Sequence, residues 1–267
     1  MTDRISARVL DGLVSVAEKL ARISRQMLAG ATGDSAAAES KPDRTFVTAM
    51  DRAIEQRLRE EIGRRFPDHG VWGEEFGRTN PDAEFQWVID PIDGTAQFIA
   101  GIPVYSTLIA LSQGDIPIIG AMDFPATDER WTGCIGRPSL HNDKPCHVRQ
   151  CANLGSAVMS TSSPDFYSEI ERPALDALRD QTRWRIYGGA AMSYARLAGG
   201  RTDLACDTGF QVYDFAAMRP IIEGAGGIIT DWDGKPLTLT SQHRLVAAGS
   251  VSIHTAALEV IRSKIPC

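Results

Sequence analysis

No stretch of this 267-residue chain reaches the roughly 18–20 consecutive apolar residues that a membrane-spanning helix needs. The first residues, MTDRISARVL, place charges where a secretory leader has its apolar core. The five cysteines (134, 146, 151, 206 and 267) are an odd number with no CxxC pair. They read as reduced thiols in a cytoplasmic protein, with neither a zinc site nor a disulfide framework. The five histidines are scattered and form no HExxH, which argues against a zinc hydrolase. Basic residues are outnumbered 28 to 34, for a net charge of −6, and no Lys/Arg cluster interrupts that balance. No nucleic-acid or membrane partner is expected of such a chain. What remains, at 43% hydrophobic and 23% charged residues, is ordinary globular chemistry, long enough for one large domain or two smaller ones.

Periodicity organises the chain into two halves. Residues 4–29 carry Ile5, Val9, Leu13, Val16, Leu20, Ile23 and Met27 at helical spacing, which predicts an amphipathic helix. AGATGDSAAAESKPDR (29–44) breaks the pattern and reads as a mobile loop. A second helix is expected from Thr48, through Ile54, Leu58, Ile62 and Phe66. From 85 to about 135, short β-rich runs separated by Gly, Pro and Asp suggest an antiparallel meander. After GRPSLHNDKP, strands alternate with helical stretches at about 165–180, 190–199 and 214–225. A last helix over 252–264 is expected to be capped by Ser252. An α+β unit over 1–145 and an α/β unit over 146–267 are therefore predicted. Trp184, Tyr187, Tyr194 and Trp232 read as packing residues, and His243 and His254 as surface residues.

The chemistry concentrates in WVIDPIDGT, residues 87–95. Asp90 and Asp93 surface at the end of an apolar strand with no basic neighbour to pair them. Capping a helix accounts for one of them at most. With Glu74 and Glu75 of WGEEFG nearby, they would repel one another unless a hard cation intervened. Mg²⁺ takes a few carboxylates, a carbonyl oxygen and waters, and often shares a phosphate with them. Pro91 fixes the turn so that the Ile92 carbonyl could add an oxygen ligand, and the N–H groups of Gly94 and Thr95 suit a phosphate oxygen. Asp214, at the start of the apolar helix in VYDFAAMRPIIEGAGG, is either an N-cap or a third source of carboxylate. Asp51 is equally open, since TAMD fits a helix capping box, S/T-x-x-acid, as well as a catalytic acid.

WVIDPIDGT together with YDFAAMRPIIEGAGGIITDWDG resembles the paired signatures of the inositol monophosphatase family of Mg²⁺-dependent phosphatases. Intervening stretches, FVTAMD, GEEFG, GIPVYSTLIAL, ERWTG and LVAAGS, extend the likeness over most of the chain. GEEFG, STLIALSQGDIPIIGAMDFP and ERW are most similar to the histidinol-phosphatase branch. The resemblance implies a layered α-β-α-β-α sandwich of the sugar-phosphatase type and a homodimer. It implies Mg²⁺, two or three ions per site, as cofactor. Glu74, Asp90 and the Ile92 carbonyl would hold one ion; Asp90, Asp93 and Asp214 would hold a second, some ~3.5–4 Å away. Asp51 and the Thr95 hydroxyl would align the attacking water, and Gly94 and Thr95 would meet the phosphoryl oxygens.

The implied substrate is a small phosphate monoester, L-histidinol phosphate first and an inositol monophosphate second. A regulatory member that keeps a metal site is a remoter reading, because the acid set is complete. The leaving-group pocket would be formed by Gly189, Ala190 and Asp207. Histidinol phosphatases typically carry Asp where this chain has Ala190, and Glu where it has Asp207. A cationic leaving group would favour carboxylates, so the loss at Ala190 counts against histidinol phosphate.

Overall fold

Two large β-sheets, each sandwiched between helices, and one small two-stranded sheet are built by the computed structural model, which describes residues 5–29, 38–40 and 46–265. The chain opens with helix α1 (Ala7–Ala29), strands β1 (Ala38–Ser40) and β2 (Phe46–Thr48), and helix α2 (Ala49–Arg65). Strands β3 (Gly70–Gly73), β4 (Gly77–Thr79) and β5 (Phe85–Asp93) lead to the short helix α3 (Thr95–Ile99). Strands β6 (Ser106–Gln113), β7 (Ile116–Phe124), β8 (Glu129–Cys134), β9 (Leu140–His141) and β10 (Lys144–Pro145) follow. Next come β11 (Val158–Thr161), α4 (Arg172–Gln181), β12 (Trp184–Tyr187), α5 (Ala190–Ala198) and β13 (Leu204–Asp207). The chain closes with α6 (Val212–Phe215), α7 (Met218–Gly224), β14 (Ile228–Thr230), β15 (Leu245–Ala248) and α8 (Val251–Arg262).

The first sheet has eight strands in the order β10-β9-β8-β7-β6-β5-β3-β4, and the second has five in the order β12-β11-β13-β15-β14. In the first, β5 to β8 form the expected antiparallel meander, while β3 joins β5 in parallel. In the second, β11 runs parallel to β12 and β13, and β15 is antiparallel to β13 and β14. Apolar residues on α1 and α2 cover one face of the first sheet at Trp87, Ile89, Ile109 and Ile119. Its other face, at Val88, Leu108, Ala110 and Met122, meets α5, α6 and α7, which also cover Ala205 and Ala247 of the second sheet. Helices α4 and α8 close the outer face of that sheet over Met159, Leu204, Val246 and Ala248. The layers are therefore α-β-α-β-α. Burial on both faces explains why β5 reads as a continuous apolar run rather than an alternating one.

Several local expectations are corrected. The loop expected over 29–44 lies largely outside the described residues, and within it Ala38–Ser40 pair with Phe46–Thr48 as a small antiparallel sheet. Val9, placed on the apolar stripe of the first helix, is exposed because α1 buries Leu10, Leu13, Val16, Ala17 and Leu20 instead. The last helix is capped by Ser250, whose hydroxyl accepts the Ile253 N–H, not by Ser252. Trp184 and Tyr187 stay exposed because β12 is an edge strand, whereas Tyr194 and Trp232 are buried as expected. His254 is buried against Thr230 rather than lying on the surface. Cys134, Cys146, Cys151 and Cys206 are free thiols, and among the described residues no helix is long and apolar enough to cross a membrane.

Candidate active site

Strand β5 delivers two of the acids. Trp87 and Ile89 face the outer helices and Val88 the middle layer, so alternation turns Asp90 toward the middle layer. Pro91 cannot donate to the ladder, and the pairing of β5 with β6 shifts register between Asp90 and Asp93. The Thr107 hydroxyl donates to the Pro91 carbonyl at 2.8 Å and is itself in hydrogen-bond contact with Ser24 of α1. This bulge is held from beneath by two hydroxyls. Directly after it, Gly94 takes a left-handed backbone (φ 77°) and starts α3. The Thr95 hydroxyl then donates back to the Ile92 carbonyl at 2.9 Å.

Asp51 and Asp214 arrive from helix starts. Thr48 caps α2, and its N–H and O–H donate to the same Asp51 oxygen, Oδ2, at 2.7 and 2.5 Å. The expected capping box is formed, yet it engages only half of the carboxylate. Asp214 Oδ2 likewise accepts the Gln211 N–H, at 2.6 Å, at the start of α6. The α6–α7 segment presses directly onto the first sheet. A Cβ on Gly120 would stand 2.1 Å from the Ala217 carbonyl oxygen, and one on Gly133 2.4 Å from the Ile221 nitrogen. Without those two glycines the helical segment that carries Asp214 could not approach so closely. Glu74 comes from the β3–β4 turn, where its N–H donates to the Ile89 carbonyl at 3.1 Å, one residue before Asp90.

The acids act on one another electrostatically. Burial raises the Asp90 pKa well above the usual carboxylate range, and repulsion from Glu74, Asp93, Asp214 and Asp51 raises it further. Asp93 is pushed up to about 6, because burial outweighs the Ala191 N–H at 2.9 Å and the Ser106 hydroxyl at 3.1 Å. Burial also raises Asp51, against the opposing Thr48 bonds. Two oxygens stand out: Asp90 Oδ1 and Asp51 Oδ1 are buried without a hydrogen-bond partner. A buried carboxylate oxygen left unpaired is costly, and a hard cation or an ordered water relieves that cost. As they stand, no three acidic, cysteine or histidine side chains among the described residues form a closed ligand set. The fit to Mg²⁺ therefore rests on the all-oxygen donor chemistry and the two orphaned oxygens.

The residues expected to form the leaving-group pocket, Gly189, Ala190 and Asp207, lie in the second half of the chain. A Cβ on Gly94 would stand 3.4 Å from the Ala190 Cβ, so these two residues are neighbours. Ala190 is itself left-handed (φ 45°), and Gly189 packs on Ser193, whose Oγ would lie 2.3 Å from an added Cβ. Gln97 of α3 donates to the Gly188 carbonyl at 3.2 Å, a second tie between α3 and this loop. Asp207, expected on the pocket wall, is 0% exposed. Its Oδ1 accepts from Thr161 and the Ser162 N–H at 2.9 and 2.6 Å, and its Oδ2 from Tyr194 at 2.7 Å. Sitting on an inner strand, it takes its donors from the protein, and burial lifts it to about 6. Sequence reasoning missed Ser106, Thr107 and Glu55. Only Glu55 left a signal, as an acid among Ile54 and Leu58 one helical turn after Asp51.

The chain as a whole is similar to known proteins. The profile of the inositol monophosphatase family matches residues 9–265. The chain is 40% identical over 228 residues to the bifunctional phosphatase IMPL2 (chloroplastic) of Arabidopsis thaliana, covering 82% of this chain and 66% of that one, just under two thirds. It is 39% identical over 206 residues to a histidinol-phosphatase of Mycobacterium tuberculosis, covering 73% and 78%. An inositol monophosphatase from Zymomonas mobilis superposes with a TM-score of 0.86 at 33% identity, over 97% of this chain and all (100%) of that one.

Proposed function

The chain belongs to the inositol monophosphatase family, and from that premise we propose that it hydrolyses L-histidinol phosphate to histidinol with Mg²⁺ as cofactor. Members of this family hydrolyse phosphate monoesters and are metal-dependent, generally on Mg²⁺. The observation that carries the reading is Asp90, a buried carboxylate with one orphaned oxygen and four acids bearing on it.

Glu74, Asp90, the Ile92 carbonyl, Asp93 and Asp214 would hold two Mg²⁺ ions, or three at most. When bound, Mg²⁺ neutralises phosphoryl oxygens and lowers the pKa of a water so that it can attack at neutral pH. Asp51 uses its unpaired Oδ1 to accept a proton from the attacking water, while Thr48 holds Oδ2 and keeps the carboxylate from rotating. The Thr95 hydroxyl donates its hydrogen bond to the Ile92 carbonyl and so presents lone pairs to orient that water. The N–H groups of Gly94 and Thr95 meet the phosphoryl oxygens, where no side chain stands at Gly94 to obstruct them. Asp207 acts from beneath, fixing Tyr194 and the Ser162 backbone so that Gly189 and Ala190 keep their place.

Similarity to a histidinol-phosphatase supports the substrate. Ala190 favours a second reading, an inositol monophosphate, because it brings no carboxylate toward a cationic leaving group. A homodimer in the cytoplasm completes the proposal. The test is phosphate release in Mg²⁺ from L-histidinol phosphate, inositol 1-phosphate, a sugar bisphosphate and adenosine 3′,5′-bisphosphate. A dominant rate on the first supports the proposal, and a dominant rate on the second selects the alternative. Full activity in chelator would overturn the metal chemistry altogether.

A further inference from the structure

Glu55 is fully buried, at 0% exposure, in the middle of α2 and one helical turn after Asp51. Its neighbours along the helix, Ile54 and Leu58, fill the same core with carbon alone. A carboxylate in such a place costs desolvation that an apolar side chain would avoid, so its partners are informative. Glu55 Oε2 accepts the Glu75 N–H at 2.7 Å, and Oε1 accepts the Phe76 N–H at 3.1 Å. These are the two backbone donors immediately after Glu74. Arg59, one turn further on, donates to Oε1 at 2.7 Å, to the Gly77 carbonyl at 2.5 Å and to Thr79 at 3.3 Å. The residue before Glu74 completes the fit: a Cβ on Gly73 would stand 1.9 Å from Glu55 Oε1. Only glycine lets the carboxylate close under the turn.

We propose that Glu55 is a positioning residue that clamps the β3–β4 turn to α2 and so fixes Glu74 relative to Asp51 for cation binding. The proposal rests on the metal-dependent reading above. A neutral core strut would need neither carboxylate oxygen to face this turn. Here both are spent on it, and the helix that receives the clamp is the one that carries Asp51. Phe76 is 48% exposed, so packing alone does not hold the turn.

The test compares wild type with Glu55→Gln, which keeps the size but turns an amide donor toward a backbone N–H or Arg59. Mn²⁺ affinity is read by electron paramagnetic resonance on substrate-free protein, alongside the half-saturating Mg²⁺ for phosphate release. Both are expected to weaken by about 10–100-fold, with kcat at saturating Mg²⁺ affected far less. In a Glu74→Gln background, Glu55→Gln should add nothing, because it acts through Glu74. Unchanged Mn²⁺ affinity, or losses that simply multiply in the double variant, would overturn the proposal. Gly73→Ala, which expels the carboxylate without altering its charge, should reproduce the loss. If neither variant folds, hydrogen exchange on wild type decides: slow exchange at the Glu75 and Phe76 amides supports the clamp, and unprotected exchange overturns it. Wild type that binds no Mn²⁺ and needs no Mg²⁺ defeats the metal reading and this proposal with it. Wild type that binds Mn²⁺ no better than Glu55→Gln defeats this proposal alone.

Discussion

The backbone N–H of Ala191 donates to the Asp93 carboxylate at 2.9 Å, joining residues that stand 98 positions apart. The left-handed backbone of Ala190 (φ 45°) precedes that bond, and its Cβ lies against Gly94. The loop that carries Ala190 and the acid-bearing strand therefore form one unit, with the Ala190 side chain beside Gly94.

Ala190→Asp is expected to shift preference toward a cationic leaving group. Asp tolerates the left-handed region better than Ala, so the backbone accepts the change. The ratio of kcat/KM for histidinol phosphate over inositol 1-phosphate should rise about tenfold, equivalent to ~1.4 kcal/mol. An unchanged or lowered ratio would show that the side chain does not reach the leaving group.

Asp90→Asn should separate stability from activity. It removes the charge most opposed by its surroundings and supplies an amide donor for the neighbouring acids. In chelator the variant should be more stable by ~1–2 kcal/mol, several degrees in Tm. Its Mg²⁺-dependent phosphate release should fall by roughly 10²–10³-fold or more. A destabilised variant in chelator would mean that Asp90 has favourable partners without metal.

Thr48→Ala should remove the cap of α2 and loosen Asp51 together. Loss of an N-cap costs about 1 kcal/mol of stability. Because the Thr48 hydroxyl also holds Asp51 Oδ2, kcat should fall more than KM changes, and Thr48→Ser should restore both. A stability loss with unaltered kcat would leave Asp51 as a cap and nothing more.

Metal-free stability should fall as pH rises through 6. Burial lifts Asp93 and Asp207 to about 6 and Asp90 well above its ordinary value. A raised acid keeps its proton in the folded state while the unfolded chain releases it near pH ~4. The stabilisation is thus complete below about pH 4 and lost as pH climbs past the folded value. Melts in chelator should give a lower Tm at neutral pH than at pH ~5. Saturating Mg²⁺ should reverse that trend, because deprotonated carboxylates bind it more tightly. A Tm in chelator that rises over this interval would contradict the assignment.

Much of this was legible in the residues themselves. WVIDPIDGT announced clustered acids at a strand end, and TAMD announced the capping box that Thr48 and Asp51 form. The helical period of α1 and the meander from β5 to β8 followed from spacing alone, because those signals act within a few residues. Ser250 displaced Ser252 as the cap of α8 through a boundary shift that spacing does not resolve.

Asp207 and Glu55 mark the other side. By type and position, each could have faced solvent, substrate or the core. The inner-strand position of β13 seals Asp207 under Thr161, Ser162 and Tyr194, and the approach of the β3–β4 turn makes Glu55 a clamp. By itself, the sequence determined which acids exist and which local elements carry them, since propensity and capping are short-range. Only the tertiary structure decided which acids meet, how deeply each is buried and which oxygens remain unpaired. Those outcomes depend on residues far apart in the chain, such as Asp90 and Asp214, brought together through close approaches such as α7 on Gly120 and Gly133.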